Sequence, residues 1–539
     1  MYRQLLMAFL PLAALIAIPL LLQPKAADRA QAVKDGADKV VIITPHSESL
    51  RYEFSRAFRK YYNEKYGREV SVEWRTPGGT SDIVKYIDDR YEASFRAVWQ
   101  DNPANGQWTA LAAANFDNPK AVAGSGMPEE ALQARKKFLD SNAGIGIDLF
   151  FGGGQYDHQR QAAKGYSIDA GIQQKHPEWF DDKVIPYRFS GEIFYDKQGK
   201  YYGVCLAAFG ICWNNQRLAE MTDKTPPLRW ADLGEPRFFE KIAVADPTKS
   251  GSVNKCFEML IQQQMSEASG QDPKGGLSTG WANGLNLIKR IAANTRYVTD
   301  SASKVPHDVA GGNAAAGICI DFYGRSEAEW AAVQSGGAER MTFMTPENGT
   351  SVSADPIQLL RGAPNRKAAT DFIEFALSID GQKVWDFRKD TPGGPEKYVL
   401  RRMPIRKDIY QPEFTRYMAD ANADPYQTCK GFEYRPAWTG PYFGLIRILI
   451  KCVALDPMPE LQEAWRSIIR AGGPQSVPEA MKAFNELPFD YAEIAKAKDD
   501  LNPDKPGNSV RSVLQTQRRW SELCRNKYIE AAKLARAGK

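Results

Sequence analysis

The segment that decides the fold is Tyr201-Tyr-Gly-Val-Cys-Leu-Ala-Ala-Phe-Gly-Ile-Cys-Trp-Asn214. It is long and apolar, as expected of a strand that leaves one lobe of a protein and enters the next, so we interpret it as a hinge. The chain has 539 residues, 43% of them hydrophobic and 25% charged, whereas single cores stop growing near about 250–300 residues. Two lobes are therefore expected.

Strand and helix patterns alternate at the start of the first lobe. Lys39-Val-Val-Ile-Ile-Thr44 is predicted to be a fully buried strand, and Val70-Ser-Val-Glu-Trp74 a second one. Between them, apolar residues recur at helical spacing from Leu50 to Tyr61. This β-α-β-α beginning predicts an α/β fold of mostly parallel sheets flanked by helices. Ligands of such sheets bind beyond the carboxyl ends of the strands.

The same patterns predict the domain boundaries. Thr350-Ser-Val-Ser-Ala-Asp-Pro-Ile357 is predicted to return the chain to the first lobe. The predicted parts are an export signal or membrane anchor with a linker (1–37), lobe 1 (38–205) with a helical insertion at about 92–142, lobe 2 (206–350), a return to lobe 1 (351–400), and a helical C-terminal region that packs mainly on lobe 2 (401–539).

Charge and cysteine content exclude several classes of protein. The 70 basic and 65 acidic residues give a net charge of +5, spread without long runs of one sign, which does not indicate nucleic-acid binding. The seven cysteines form no CxxC pair and no Cys/His spacing suited to zinc. Most are expected to be buried apolar residues, although Cys429 and Cys452 are a conceivable disulfide pair in an exported chain.

The N-terminus indicates export. Arg3 precedes an uncharged run from Leu5 to Leu22, and a poor cleavage site follows it. A secretory signal has an apolar region of about 7–15 residues and a spanning helix needs about 17–25, so a cleaved signal and a retained anchor both stay open.

The loop Asp246-Pro-Thr-Lys-Ser-Gly-Ser252 separates a predicted strand from a helix. A helix N-terminus presents unpaired N–H donors and a partial positive charge, and Gly251 lets a ligand approach the backbone. Thr248, Ser250 and Ser252 are therefore candidates for holding an anionic group. The alternative is a capped turn without a ligand. The spacing is not that of a phosphate-binding P-loop.

Arg75-Thr-Pro-Gly-Gly-Thr-Ser81 has the same character in lobe 1. Arg75 offers a forked donor, and Thr80 or Ser81 a hydroxyl. A tight turn is the alternative here. Two such donor loops, one from each lobe, would form the two sides of a cleft.

Three polar residues that follow predicted strands allow a metal site. His46 follows the first strand, and Asp321 and Tyr323 follow a strand of lobe 2. Imidazole, carboxylate and phenolate groups suit a high-valent metal, whereas the alternative is polar residues without one. Phe209 and Tyr323 are candidate walls of the cleft. No nucleophile, base and acid occur in a recognisable order, so no enzyme activity is expected.

Several segments, in this order, resemble the periplasmic solute-binding proteins of ABC importers, in the group of ferric-iron, phosphonate, sugar-phosphate and polyamine binders. The resemblance covers roughly residues 38–410. The segments are Val41-Ile-Ile-Thr-Pro-His46, Phe151-Gly-Gly-Gly154, Tyr202-Gly203 with Phe209-Gly-Ile-Cys-Trp-Asn214, Ala245–Ser252, Pro346–Pro356, and Gly362 through Trp385.

The resemblance implies a type II periplasmic-binding-protein fold, whose lobes are joined by crossing strands and close on a ligand recognised by a membrane permease. It implies an extracytoplasmic location. The donor-rich loops favour an anionic ligand, no cofactor is expected, and the chain is expected to be a monomer. The ligand-binding residues expected from the loops and the resemblance are His46, Ser47, Arg75, Thr76, Gly78, Gly79, Thr80, Ser81, Gly153, Gly154, Phe209, Thr248, Ser250, Gly251, Ser252, Asp321 and Tyr323.

Three alternatives remain at this point. A ferric-iron binder of the same family would use His46, Asp321 and Tyr323, but its members usually carry two adjacent tyrosines where this chain has Phe322-Tyr323. Phenylalanine supplies no phenolate, so an organic or phosphorylated anion is favoured. A membrane-tethered sensor would use the cleft without transport. An enzyme on the same scaffold would need a catalytic group that the sequence does not indicate.

Overall fold

The computed structural model describes residues 38–503 and 505–539, and the apolar N-terminal segment lies outside this range. The strands are β1 Asp38–Ile43, β2 Val70–Arg75, β3 Leu149–Phe151, β4 Ser167–Ile168, β5 Arg188–Phe189, β6 Glu192–Ile193, β7 Tyr202–Ala207, β8 Phe209–Asn214, β9 Ile242–Ala245, β10 Thr295–Thr299, β11 Ala316–Ile320, β12 Met341–Met344, β13 Ser353–Leu360 and β14 Met403–Pro404.

The α-helices lie between these strands and after the last of them. They are Glu48–Tyr66, Thr80–Gln100, Ala110–Asn115, Glu129–Asp140, Gln155–Lys164, Ile172–Lys175, Asn215–Ala219, Gly251–Gln271, Gly276–Ala293, Lys304–Ala310, Asp321–Gln334, Arg366–Leu377, Ile379–Asp386, Pro412–Thr415, Pro425–Thr428, Pro436–Thr439, Phe443–Ile450, Met458–Arg470, Pro478–Phe484, Ile494–Asp500 and Val510–Arg536.

Lobe 1 is built on a sheet with the strand order β14-β7-β13-β3-β1-β2, and β4 pairs with β13. The pairs β1–β2 and β1–β3 are parallel, whereas β13 runs antiparallel to β3 and β7. The last four residues of β1, from Val40 to Ile43, are buried because helices cover both faces of the sheet.

Lobe 2 is built on a five-stranded sheet with the order β10-β9-β11-β8-β12. Strand β9 is parallel to β10 and β11, and β8 is antiparallel to β11 and β12. The two sheets therefore repeat one plan, in which a parallel core of three strands is extended by antiparallel strands at one side.

Two crossings connect strands of one sheet to strands of the other. Strand β7 ends at Ala207 in the sheet of lobe 1, and β8 begins at Phe209 in the sheet of lobe 2. The chain returns between β12 and β13. This confirms the predicted two-lobed α/β fold with crossing hinge strands.

The helical insertion of lobe 1 begins later than the predicted position near residue 92. The helix Thr80–Gln100 runs through that position, and the helices Ala110–Asn115 and Glu129–Asp140 follow it. Aromatic rings hold them together: the ring centroid of Phe95 lies 5.5 Å from that of Phe116 and 5.2 Å from that of Phe138.

Lobe 1 extends well beyond the predicted boundary at 400. Strand β14 pairs with β7 at its edge, and Tyr426 and Cys429 belong to its core. Only after Cys429 does the chain enter the core of lobe 2, at Phe432. The sequence did not indicate this because a two-residue edge strand has no periodicity.

Residues 430–431 thus form a third crossing between the lobes. A Cβ at Gly431 would lie 1.5 Å from Oδ1 of Asn348, which belongs to the crossing between β12 and β13. Asn348 itself has a φ of 52°, a left-handed conformation. The crossing segments are therefore packed directly on one another.

The helices after Phe432 share one core with lobe 2. Trp465, Phe484 and Tyr528 are buried in the same cluster as Leu260 and Ile288. One segment of this region, Pro436–Leu455, is long and apolar enough to cross a membrane, but half of it is buried inside the protein, as in the core helix of a soluble domain.

The disulfide considered for Cys429 and Cys452 does not form. All seven cysteines are free and buried. Cys429 lies in the core of lobe 1 and Cys452 in the core shared by lobe 2 and the C-terminal helices, so the pairing was wrong.

Candidate ligand cleft

His46 lies just beyond β1, buried between two strands of lobe 1. Its Nε2 lies 2.9 Å from Oδ2 of Asp355 in β13. The ring packs edge-on against Phe151, with 4.6 Å between centroids. Burial lowers the pKa of His46, although Asp355 opposes this change. The imidazole is therefore neutral at neutral pH.

Arg402 connects His46 and Asp355 to lobe 2. It donates a hydrogen bond to Oδ2 of Asp355. Its Cζ lies 4.0 Å from the ring centroid of Phe322, a cation–π contact across the lobes. Phe322 contacts Tyr323, with 4.4 Å between the rings. We call His46, Asp355, Arg402 and Phe322 the interlobe chain.

Two buried atoms of the interlobe chain have no hydrogen-bond partner among the described residues: Nδ1 of His46 and Oδ1 of Asp355. Burial alone would raise the pKa of Asp355, but His46 and Arg402 hold it below its usual value. A neutral His46 that donates from Nε2 to this carboxylate leaves Nδ1 as an acceptor. Both atoms are thus buried hydrogen-bond acceptors that no donor among the described residues reaches.

Two members of the trio considered for ferric iron, His46 and Asp321, are bonded to other side chains. His46 is bonded to Asp355, whereas Asp321 is bonded to Arg325 at 3.2 Å and accepts a 2.8 Å bond from the N–H of Phe322. Burial raises the pKa of Asp321, and Arg325 opposes that rise. Within residues 38–503 and 505–539, no group of three His, Cys, Asp or Glu side chains could hold a metal ion.

Several polar groups of the first donor loop, residues 75–81, bond to residues that are close to them in sequence. The N–H of Gly79 donates to Oδ2 of Asp82 at 3.0 Å and so caps the helix that begins at Thr80. A Cβ at Gly78 would lie 2.4 Å from the same oxygen. Arg75 has a side chain that is 58% exposed and pairs with Glu73 of its own strand. Its predicted role in the site stays a prediction.

Ser47 and Thr76, two further predicted ligand residues, lie near the ends of β1 and β2. The hydroxyl of Ser47 lies 2.8 Å from that of Ser49, at an exposed position. Thr76 and Ser81 are exposed. None of these three is held by a buried contact.

Gly152, Gly153 and Gly154 bring the first donor loop and the interlobe chain together. A Cβ at Gly152 would lie 2.6 Å from Nε2 of His46, and a Cβ at Gly153 would lie 2.8 Å from Cγ2 of Thr80. The φ angles of Gly152 and Gly153 are 92° and 101°, where other residues are strained. These glycines therefore let the loop after β3 close over His46.

The second donor loop, residues 246–252, is a capped turn. Oδ1 of Asp246 accepts bonds of 2.7 Å from both the N–H and the hydroxyl of Thr248. The hydroxyl of Ser250 accepts from the N–H of Val253 at 3.3 Å and caps the helix. At Gly251 a Cβ would meet no atom within 4 Å, so the backbone there borders open space.

Phe209 does not form a wall of an open cleft. It is buried in the core of lobe 2, and its N–H donates to the hydroxyl of Thr350 at 3.3 Å. Its position at the start of β8 explains the difference, because that strand is buried on both faces. Tyr323 is half-buried and packs against the same core.

A second bridge between the lobes lies beside the interlobe chain. Arg325 of the helix Asp321–Gln334 donates to Asp420 at 2.8 Å and to the carbonyl of Arg401 at 2.9 Å. Arg401 donates to the carbonyl of Arg325 at 3.0 Å. Arg401 has a φ of 55°, which is a strained conformation. Arg401 and its neighbour Arg402 therefore contact different residues of lobe 2.

Sequence reasoning missed Asp355 and Arg402 as site residues. Asp355 lies inside a strand, where local patterns indicate only burial. Arg402 precedes the two-residue strand β14 and has no motif around it. Their partners lie at His46 and Phe322, far away in sequence, so only the folded chain brings them together.

The comparisons with known proteins agree with the class of protein that the sequence predicts. Residues 147–413, about half of the chain, match the family model of the bacterial extracellular solute-binding proteins. The matched part runs from just before β3 to beyond β14 and includes both hinge crossings between β7 and β13. These residues therefore belong to that family.

Curated relatives match over shorter segments. A protein of Haemophilus influenzae described as uncharacterized is 25% identical over 238 residues, which is 44% of this chain and 60% of the relative. The phosphoglycerate transport regulatory protein of Salmonella typhimurium is 23% identical over 181 residues, 34% of this chain and 39% of its own length. The chain thus spans less than two thirds of each of these relatives.

Solved structures with a similar chain path include apo ferric ion-binding protein A of Pasteurella haemolytica. Its TM-score is 0.49 and its identity 14%, with 77% of this chain and 97% of that chain covered. The periplasmic binding protein AfuA of Actinobacillus pleuropneumoniae has a TM-score of 0.44 and 17% identity, over 76% and 98% of the two chains.

Proposed function

We propose that this chain is the extracytoplasmic solute-binding protein of an ABC importer. It captures a small, hydroxylated anion between its lobes and delivers it to a membrane permease. It acts as a binding protein rather than an enzyme, and as a monomer. The family of residues 147–413 supports the class of protein, and the contents of the cleft support the kind of ligand.

The interlobe chain is the observation that carries the proposal. It runs from His46 in lobe 1 to Phe322 in lobe 2, and it leaves two buried acceptors unused. Leaving a buried polar group without a partner costs about 1–3 kcal/mol, so a ligand that donates hydrogen bonds to these atoms would recover that cost. Hydroxyl groups are suitable donors.

The anionic part of the ligand is proposed to bind at the helix N-termini beside the donor loops. The hydroxyl of Thr248 donates within its turn, whereas that of Ser250 only accepts there, so the donors left in the second loop include the Ser250 hydroxyl and the backbone N–H groups of Gly251 and Ser252. The helix that begins there has 21 residues, and its partial positive charge favours an anion. Gly153 and Gly154 offer the same kind of backbone in lobe 1.

Phosphorylated hydroxy acids carry both the hydroxyl groups and the anionic group that these two parts of the cleft are proposed to bind. One relative is named for phosphoglycerate transport, which makes 3-phosphoglycerate a sensible first probe. Ferric iron is a weaker candidate, because Phe322 occupies a position where the ferric binders of the group usually carry a tyrosine, and because Asp321 is engaged by Arg325.

Calorimetry tests the proposal with 3-phosphoglycerate, a sugar phosphate, a phosphonate, a polyamine and a ferric salt. We expect at least one hydroxylated anion to bind with a dissociation constant well below about 1 mM. His46→Gln should weaken that binding by about tenfold or more, because it removes an acceptor in the cleft. His307→Gln is the matched control, since its side chain is exposed and pairs with Glu327.

Binding of the polyamine or the ferric salt alone would contradict the proposed ligand. A failure of all five probes would contradict capture of an anion. The mass of the mature N-terminus separates a secreted transport protein from a tethered sensor, because a retained Leu5–Leu22 segment is required for tethering.

A further inference from the structure

The C-terminal helix Phe443–Ile450 lies outside the family match, yet it contacts both lobes. The ring centroid of Phe443 lies 5.4 Å from that of Tyr156 in lobe 1. The carbonyl of Phe443 accepts a 2.9 Å bond from the buried side-chain amide of Asn254 in lobe 2. One residue of the C-terminal region therefore touches both sides of the cleft.

Both contacts fall at the N-terminal turns of helices that border the cleft. Tyr156 lies at the start of the helix that follows Gly154, and Asn254 at the start of the helix that follows Ser250. These helices begin beyond the carboxyl ends of β3 and β9, which is where ligands of such sheets bind. Phe443 thus lies beside the gap between the proposed anion-binding loops.

Arg447 follows Phe443 by one helical turn and carries a positive charge into the same region. Its Cζ lies 5.3 Å from the ring centroid of Phe443. Its Nε is buried and makes no hydrogen bond to any part of the chain that the structure describes. A buried donor of this kind is expected to have a partner, which is a reason to look for a ligand.

Asp157, next to Tyr156, is the acidic neighbour of Arg447 from lobe 1. Burial raises the pKa of Asp157 to about 6, and the positive charges of Arg447 and Arg160 oppose the rise. The two side chains therefore share one electrostatic environment across the boundary between lobe 1 and the C-terminal region.

We propose that Arg447 is a ligand-contact residue, which supplies a positive charge to an anion held between the glycine loop, residues 152–154, and the second donor loop, while Phe443 closes that side of the cleft. Asp157 competes with the anion for the same guanidinium. The inference rests on the proposed function, because it assumes that an anion occupies the cleft. It gives the C-terminal region a part in ligand selection.

Calorimetry with 3-phosphoglycerate and with inorganic phosphate tests the proposal on the full chain. Arg447→Ala should weaken binding by about 10- to 100-fold, the range for a lost charge-assisted hydrogen bond. The affinity of Arg447→Lys should fall between those of this variant and the wild type, because lysine keeps the positive charge but lacks the paired donors of the guanidinium. Asp157→Asn should bind severalfold more tightly, since it removes the competing carboxylate.

Arg466→Ala is the matched control, because Arg466 lies in the same C-terminal region and pairs with Glu240 and Glu463 at the surface. Its affinity should equal that of the wild type. Thermal unfolding of each variant reports whether it is folded.

The outcomes separate the two proposals. If His46→Gln weakens binding while Arg447→Ala leaves it unchanged, the role of Arg447 is overturned and the proposed function stands. If the wild type binds neither these two anions nor any of the five probes used to test the proposed function, both are overturned. If Arg447→Ala does not fold, Asp157→Asn decides, and an unchanged or lower affinity there overturns the role of Arg447.

Discussion

The donor loops and the interlobe chain satisfy their polar groups in different ways. In the donor loops the partners are close in sequence: Asp82 caps Gly79, and Asp246 accepts from Thr248. In the interlobe chain, His46 meets Asp355 across 309 positions of sequence.

The donor loops stabilise their own turns, whereas the interlobe chain is the part proposed to take part in ligand capture. A capped turn is complete without a ligand, so hydroxyl-rich composition alone does not make it a site. The interlobe chain joins two lobes and keeps two acceptors unpaired, so its energy depends on the position of the lobes and on what fills the cleft. Substitutions in the interlobe chain should therefore change stability more than substitutions in the donor loops.

Asp355→Ala should give the largest effect. It leaves Arg402 and the neutral His46 buried without their shared carboxylate, and breaking a buried ion pair in this way costs about 3–5 kcal/mol. Denaturant unfolding measures the loss of free energy. Asp499→Ala, which removes an exposed carboxylate paired with Lys505, is the control. Equal stability of the two variants would mean that the interlobe chain does not stabilise the fold.

His158 should make the region beneath the glycine loop sensitive to acid. Its Nε2 lies 2.9 Å from the carbonyl oxygen of Gly152, and burial lowers its pKa to about 4. Between pH 6.5 and 4 the imidazole of His158 binds a proton in the unfolded chain but not in the folded chain. Stability from this group is therefore complete above pH 6.5 and decreases by about 3 kcal/mol as the pH falls to 4.

His158→Gln should flatten this decrease when the unfolding free energy is measured at several pH values. His307→Gln, an exposed control, should follow the wild type. A His158→Gln curve as steep as that of the wild type would remove His158 as a source of acid sensitivity.

Gly152→Ala and Gly251→Ala compare the two regions directly. Gly152 has a φ of 92° and lies against His46, so a Cβ there should cost about 1–3 kcal/mol. Gly251 has free space around it, and alanine there should change stability by less than about 1 kcal/mol. Thermal unfolding of the pair checks the order, and a reversed order would contradict the packing of the glycine loop on His46.

Arg75→Ala should give the smallest change in stability. Its pair with Glu73 is exposed, and such pairs contribute about 0–1 kcal/mol. If Arg75 turns toward the ligand, as the sequence predicts, binding of the anion should weaken by about 1.5–3 kcal/mol. Calorimetry of this variant decides whether Arg75 belongs to the site, since unchanged affinity would exclude it.

The sequence predicted the fold because its signals are local. The apolar run of β1, the hinge at 201–214 and the helix at 366–377 each have a period or composition of their own. The extent of lobe 1 beyond residue 400 could not be predicted in this way, because it depends on the short edge strand β14 and on Tyr426 and Cys429 joining a distant core.

The site was predicted in part for the same reason. The sequence indicated His46 and the glycine loop, since both follow strands. It could not indicate that Asp355 would pair with His46 and Arg402, or that Phe443 would contact Tyr156, because these contacts are made between segments with no shared motif. Asp321 was expected to face a ligand, and its engagement by Arg325 depends on the helix that follows it.

Hydrogen–deuterium exchange, with and without the anion that binds most tightly in calorimetry, tests the central claim most directly. If the ligand is captured between the lobes, protection should increase together at residues 76–81 and 152–154 of lobe 1 and at residues 246–254 of lobe 2. Protection confined to one lobe, or absent from both, would contradict capture in this cleft.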